Sequence, residues 1–134
     1  MNLQVGVKVI LKNNEGAYLL MRRSEAFHNE TEPHWDIPGG RIDPSEALET
    51  ALRREVMEET GLTVEGNFTL LAAQDIFVKA KDLHVVRLTY TSSASGEINI
   101  SDEHQEVQWA NREQALALYL DPYLRLVFET NADL

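Results

Sequence analysis

The sequence contains no cysteine. Disulfides, thiolate metal sites and cysteine nucleophiles are excluded, and the composition suits a reducing cytoplasm, the expected location. Positive charge is scarce: 12 Lys and Arg stand against 22 Asp and Glu, a formal net charge of −10. This argues against a nucleic-acid polymer as partner, because phosphate backbones call for clustered cations. A small anionic substrate would also be repelled at long range, unless the acids hold divalent cations that invert the local sign. No apolar run approaches the roughly 18 residues of a membrane span. The N-terminal "MNLQVGVKVIL" lacks a basic segment followed by a long apolar one, so no signal peptide is expected. A chain of 134 residues suits one domain, taken as residues 1–134, with a core of its own.

What is present alternates first at period two. Val5, Val7, Val9 and Leu11 predict a half-buried strand over residues 4–11. "KNNEG" is turn chemistry, and residues 17–23, "AYLLMRR", complete a predicted hairpin. Residues 24–34 are polar and unpatterned, a loop. "WDIPGG", residues 35–40, is a short extended piece ending in a glycine turn. Further strands are predicted over residues 68–79, 84–92 and 106–110. A helical C-terminal stretch is interrupted at Pro122. Strands and helices do not alternate regularly, so a mixed sheet covered by helices on both faces fits best.

Between these strands lies "PGGRIDPSEALETALRREVMEETGL", residues 38–62. Asp43 is expected as N-cap, Pro44 at the first helical position, Glu46 closing a capping box, and Gly61 at the stop. With Ala47 at zero and about 100° per residue, Ala51, Leu48 and Leu52 span an arc from about 40° to about 140°. Glu58, Glu55 and Glu59 fall at about 20°, about 80° and about 120°, on that same arc. Glu49, Thr50 and Arg53 take the outer side. Like charges turned inward call for a counter-charge. Arg54 can neutralise one of them by a bidentate pair. A hard divalent cation, Mg²⁺ or Mn²⁺, is the simplest partner for the rest, and a metal-free salt-bridge network is the alternative. The glycines before the helix allow close backbone approach and leave carbonyl oxygens open as ligands.

Gly40, five residues, Glu46, seven residues and then "REVMEETGL" together resemble the signature of the Nudix hydrolase family. Gly40, Glu46, Arg54, Glu55, Glu58, Glu59 and Gly61 match its fixed positions, and Val56 and Leu62 its aliphatic ones. The resemblance implies an α/β/α sandwich with a mixed sheet. It also implies hydrolysis of a nucleoside diphosphate linked to a further group, assisted by Mg²⁺ or Mn²⁺. Glu55, Glu58 and Glu59 match the metal-binding acids, the Gly39 carbonyl is a further expected ligand, and Arg54 matches the arginine that orients the glutamates. Glu46 is explained by the helix start without catalytic duty. The proton acceptor is a box glutamate or a later acid. Glu103 is preferred over Glu106, and an exposed acidic loop is the alternative.

Weaker expectations concern substrate contacts. One of Arg22 and Arg23 should face the cleft by strand alternation. Trp35 is a candidate for stacking on a base, although packing is the commoner role, and His28 and His34 lie in the loop where substrate could touch. Phe27, Phe77 and Tyr90 are assigned to core or cleft wall. His84 and His104 are not expected to bind a hard metal. A nucleoside triphosphate is the preferred substrate, giving monophosphate and pyrophosphate. ADP-ribose or a nucleotide sugar is the runner-up, and a non-catalytic nucleotide-binding module is the other class. A homodimer is left open.

Overall fold

The computed structural model of the protein describes residues 1–23, 33–100 and 104–134. The sheet is organised around β1 (Asn2–Lys12), which turns at Gly16 into β2 (Tyr18–Arg23). The Asn13 side chain fastens that turn by accepting from the backbone N–H groups of Glu15 and Ala17. Next come β3 (Gly39–Arg41), helix α1 (Leu48–Thr60), β4 (Thr63–Val64), β5 (Thr69–Val78), β6 (Leu83–Ser95) and β7 (His104–Ala110). Two short helices close the chain, α2 (Arg112–Leu116) and α3 (Pro122–Thr130). Among the described residues the sheet runs β4-β6-β1-β2-β7, with β3 also on β1 and β5 also on β6. β1 and β6 pair in parallel over the full length of β1, while β1 with β2 and β3, β2 with β7, and β6 with β4 and β5 pair antiparallel, so the sheet is mixed.

One feature of the topology positions everything else. β1 and β2 pair at Lys12 and Tyr18 and then part. Residues 35–41 enter the gap. Asp36 exchanges backbone hydrogen bonds with Met21 at 2.8 and 2.9 Å. Val9 donates to the Pro38 carbonyl at 3.0 Å, and Gly39 to Arg41 pair with Lys8 to Gly6. This strap satisfies the ladder groups that the splayed hairpin would leave open.

Alternation sorts the core into two layers. Val7, Val9 and Leu11 of β1 and Leu19 and Met21 of β2 pack with Ala51, Leu52 and Val56 of α1. Ile10, Tyr18 and Leu20 pack on the opposite face with Ala115, Leu124, Val127 and Phe128. The architecture is α/β, a mixed sheet between helices. β1 was expected to be half-buried, but it is covered on both faces from Val9 to Leu11. The strand expected over residues 84–92 runs on to Ser95 as β6. Phe77, expected in the core or the cleft wall, is exposed and stacks on His84 at 4.5 Å, whereas Tyr90 is buried against Phe68.

The expected helix start is corrected. Residues 43–46 form a turn, with Glu46 N–H donating to the Asp43 carbonyl at 3.0 Å and Ser45 at φ 71°. A left-handed residue cannot continue into a helix, so α1 begins at Leu48 with an uncapped Ala47 before it. Gly61 does end the helix in the left-handed conformation, φ 74°, donating to the Met57 carbonyl.

Phe128 is fully buried and meets Tyr18 edge-on at 5.6 Å. Phe128→Ala is expected to destabilise the fold by about 3–5 kcal/mol, measured as a lower urea midpoint with an unchanged slope.

Candidate active site

Helix α1 presents three diagonal rows. Leu52, Val56 and Thr60 go into the core, with Leu48 partly buried at the head of the row. Ala51 is buried on the neighbouring row, where Glu55 and Glu59 follow it, half-buried and next to the glycine strap. Arg54 and Glu58 lie on the third row, where Glu58 keeps 59% of its side chain exposed. The buried arc is therefore centred nearer Val56 than the wheel placed it. Val56 and Thr60 fall at about 180° and about 220° on the wheel, which draws the arc away from Glu58. Two of the three glutamates face the protein body, and the third does not.

The strap meets those two. Gly39 N–H donates to Glu59 Oε1 at 3.0 Å. A Cβ on Gly39, at φ +147°, would stand 2.1 Å from the Val7 carbonyl oxygen. A Cβ on Gly40 would instead meet all three atoms of the Glu55 carboxylate at 2.7 to 2.9 Å. Both glycines are needed, the first by β1 backbone and the second by an acid.

Arg54 organises the outer side. Its Nε and Nη2 donate to the two oxygens of Glu46 at 2.7 and 3.0 Å, and Nη1 donates to Glu55 at 2.9 Å and more distantly to Glu58 at 3.4 Å. This bidentate pairing is the strong kind. Glu46 also accepts from the Asp43 N–H at 3.0 Å. Glu46 thus keeps a structural duty, but as an anchor for Arg54 and a clip on the turn, not as a helix cap. Its carboxyl is held down to about 2 by the Arg54 hydrogen bonds and the Asp43 N–H. The same pairing holds the Arg54 guanidinium still more firmly protonated.

Glu59 shifts the other way, up to about 7. Burial raises it, Lys8 and the Gly39 N–H pull it down, and the neighbouring Glu55 charge and hydrogen bond raise it again. Two carboxyl groups held together in a partly dry site cannot both ionise cheaply. Among the described residues no three acidic or imidazole side chains are grouped so as to hold a metal ion. The Glu55–Glu59 pair with adjoining backbone nevertheless has the hard oxygen donors that suit Mg²⁺ or Mn²⁺.

The other expected residues divide. Trp35 is buried, 7% exposed, in the α3 layer, with Arg22 lying over its ring at 5.1 Å. This is the packing role, the commoner of the two expected for it. Arg22 pairs with Glu106 on β7 and lies in that same layer, not beside α1. His34 sits against Tyr119 and 3.8 Å from Asp121, away from the glutamates. His84 bonds Asp75 at 2.7 Å. Phe27, His28 and Glu103 lie outside the described residues, as do the side chains of Arg23 and His104.

Sequence reasoning missed a second charged group on the far side of the strap. Lys8 lies 3.3 Å from Asp36, and Arg87 lies 3.9 Å from Asp36 and 2.8 Å from Asp121. Burial pushes the Asp36 carboxyl up, but Lys8 and Arg87 outweigh it and hold it below the usual range. Asp121 also caps α3, accepting from Leu124 N–H at 3.0 Å. The one available signal was a lysine inside an apolar strand.

The family model for the NUDIX domain matches residues 2–130. The chain belongs to the Nudix family. This Nudix hydrolase is 32% identical over 128 residues to a protein named nucleoside triphosphatase NudI from Enterobacter sp. (strain 638), covering 89% of each chain. It is 34% identical over 121 residues to the NudI of Salmonella schwarzengrund, covering 81% of this chain and 82% of the other. Among solved structures, the MutT protein of Methanosarcina mazei Go1 superposes with a TM-score of 0.82 at 29% identity, over 96% of this chain and 91% of that one. A MutT Nudix hydrolase from Burkholderia pseudomallei gives 0.81 at 29%, over 96% and 98%. Nudix hydrolases generally use divalent cations.

Two outcomes are expected of the site. Gly40→Ala should fold, since Gly40 has no left-handed backbone requirement and a flexible carboxylate can yield. It should lose about 10- to 100-fold in kcat/KM because Glu55 is displaced. In metal-free buffer, Glu59 binds its proton more tightly folded than unfolded. Its contribution to stability is full below about 4.5 and is lost as pH rises towards about 7. Thermal unfolding across that window should therefore show a larger fall for the wild type than for Glu59→Gln, and equal slopes would contradict the assignment.

Proposed function

We propose that this Nudix hydrolase cleaves a pyrophosphate bond of a nucleoside triphosphate, ribo or deoxy, yielding monophosphate and pyrophosphate. The observation that carries the chemistry is the pairing of Glu55 and Glu59 under the Gly39–Gly40 strap, with Glu59 raised to about 7. The substrate class is supported by relatives named nucleoside triphosphatase, matched over most of both chains. We read residues 1–134 as a single domain of this kind, consistent with the match over residues 2–130.

In this reading Glu55, Glu58 and Glu59, with the Gly39 carbonyl, hold the cation. When bound, it supplies positive charge for the anionic phosphate oxygens and lowers the pKa of the attacking water. Arg54 fixes the Glu55 carboxylate and steadies α1 through Glu46. Glu58 is exposed, and its 3.4 Å contact with Arg54 is a long one. A carboxylate then takes the water's proton. We retain Glu103 for that role over Glu106, whose carboxylate is engaged by Arg22.

The test is a substrate screen with Mg²⁺ or Mn²⁺ that identifies products. Triphosphates should give monophosphate and pyrophosphate, with turnover removed by chelation. Exclusive cleavage of ADP-ribose or a nucleotide sugar would overturn the substrate class, and no cleavage of any nucleotide would favour a binding module. Glu58→Gln and Glu59→Gln should each remove turnover while leaving the protein folded. Full activity in either would sink its place in the metal site.

A further inference from the structure

Lys8 occupies the middle of the central strand, between Gly39 on β3 and Thr89 on β6. A lysine there is costly unless its ammonium is paired. Its side chain is only 18% exposed. The stem packs tightly beneath the strap, so that a Cβ on Gly39 would stand 2.9 Å from Lys8 Cδ. The Nζ donates to the Ile37 carbonyl at 3.2 Å and lies 3.3 Å from Asp36 Oδ2. The other oxygen of Asp36 accepts from the Ile37 N–H at 2.8 Å.

Ile37 is thus gripped at both of its backbone groups, its carbonyl by the ammonium and its N–H by the carboxylate that the ammonium neutralises. Ile37 itself is buried and cannot drift into solvent. Two residues further on, the Gly39 N–H meets Glu59. The grip and the acid are joined by a stretch of chain too short to absorb a displacement.

We propose that Lys8 and Asp36 are positioning residues, a clamp on Ile37 that sets where Gly39 and Gly40 stand relative to Glu59 and Glu55. The proposal rests on the reading of those two acids as the metal-holding pair. It differs from two simpler roles. If Lys8 acted only as a fixed positive charge near Glu59, its removal would tighten cation binding. If it served only the fold, its removal would lower stability and leave cation affinity alone.

The experiment compares wild type, Lys8→Met, Asp36→Asn, their double variant and Lys8→Arg, with Glu59→Gln as control. Mn²⁺ affinity is read by electron paramagnetic resonance without substrate, and amide exchange at Gly39 and Gly40 is read by NMR in the metal-free protein. Lys8→Met keeps the stem packed under Gly39, and Asp36→Asn is an independent variant should it fail to fold. Each single variant should weaken Mn²⁺ binding about 10-fold, speed exchange at Gly39, and lower kcat with KM changed less than about 3-fold. The double variant should be little worse than either single one, as for one shared device. Lys8→Arg should recover most of the affinity. Unchanged or tighter Mn²⁺ binding with intact protection at Gly39 would overturn the clamp. Wild-type Mn²⁺ affinity in Glu59→Gln would instead overturn the metal reading, and exchange at Gly39 would still decide the clamp.

Discussion

The half-burial of two neighbouring carboxylates organises this molecule's working side. Glu55 and Glu59 are one helical turn apart and share a half-buried niche with the backbone of Gly39 and Gly40. Burial raises Glu59 first, and the Glu55 charge and hydrogen bond beside it add to that rise. Everything around the pair limits how it can relax. Arg54 takes one oxygen of Glu55, the Gly39 N–H takes one of Glu59, and Glu46 keeps Arg54 from turning to either acid alone. On the proposed reading, a divalent cation held by the pair would relieve the repulsion between the two acids.

The fold places that niche between the strap and α1. A hairpin that stayed paired along its length would leave no room for the strap. By parting after Lys12 and Tyr18, β1 and β2 admit residues 35–41, and the strap reaches α1 with its glycines foremost. The two core layers then press from opposite faces, α1 from one and α3 from the other. The glycines carry no side chains into this narrow space, so the acid carboxylates can lie directly on backbone.

Much of this was legible in residue order alone. Period-two alternation found β1 and β2, Gly61 marked the end of α1, and the box spacing identified the family. The helix wheel turned Glu55 and Glu59 inward correctly. It failed for Glu58 because it counted the apolar arc from Ala47 to Leu52 and omitted Val56 and Thr60, which shift the buried centre. The Asp43–Glu46 signal was real chemistry with a different outcome. The same side chain that would close a capping box was claimed by Arg54, and Ser45 took a conformation that sequence preference does not anticipate. Strand parity fixes a face, not what lies over it: Trp35 takes the packing role in the α3 layer with Arg22 over its ring, and the choice between Arg22 and Arg23 rests on the Arg23 side chain, outside the described residues. The Lys8, Asp36, Arg87 and Asp121 group was invisible because its members come from separate segments, and only tertiary packing brings them within reach of one another.

The strap has a second fastening, at its start. Trp35 N–H donates to the Tyr119 carbonyl at 2.8 Å, and Asp121 N–H donates back to the Trp35 carbonyl at 2.8 Å. The connection between α2 and α3 is thereby paired through Leu120 with the first residue of the segment whose Gly39 N–H meets Glu59. An added or deleted residue between Ala117 and Asp121 would slip that register. Chain length in the connection on one layer thus bears on where the strap meets a carboxylate on the other.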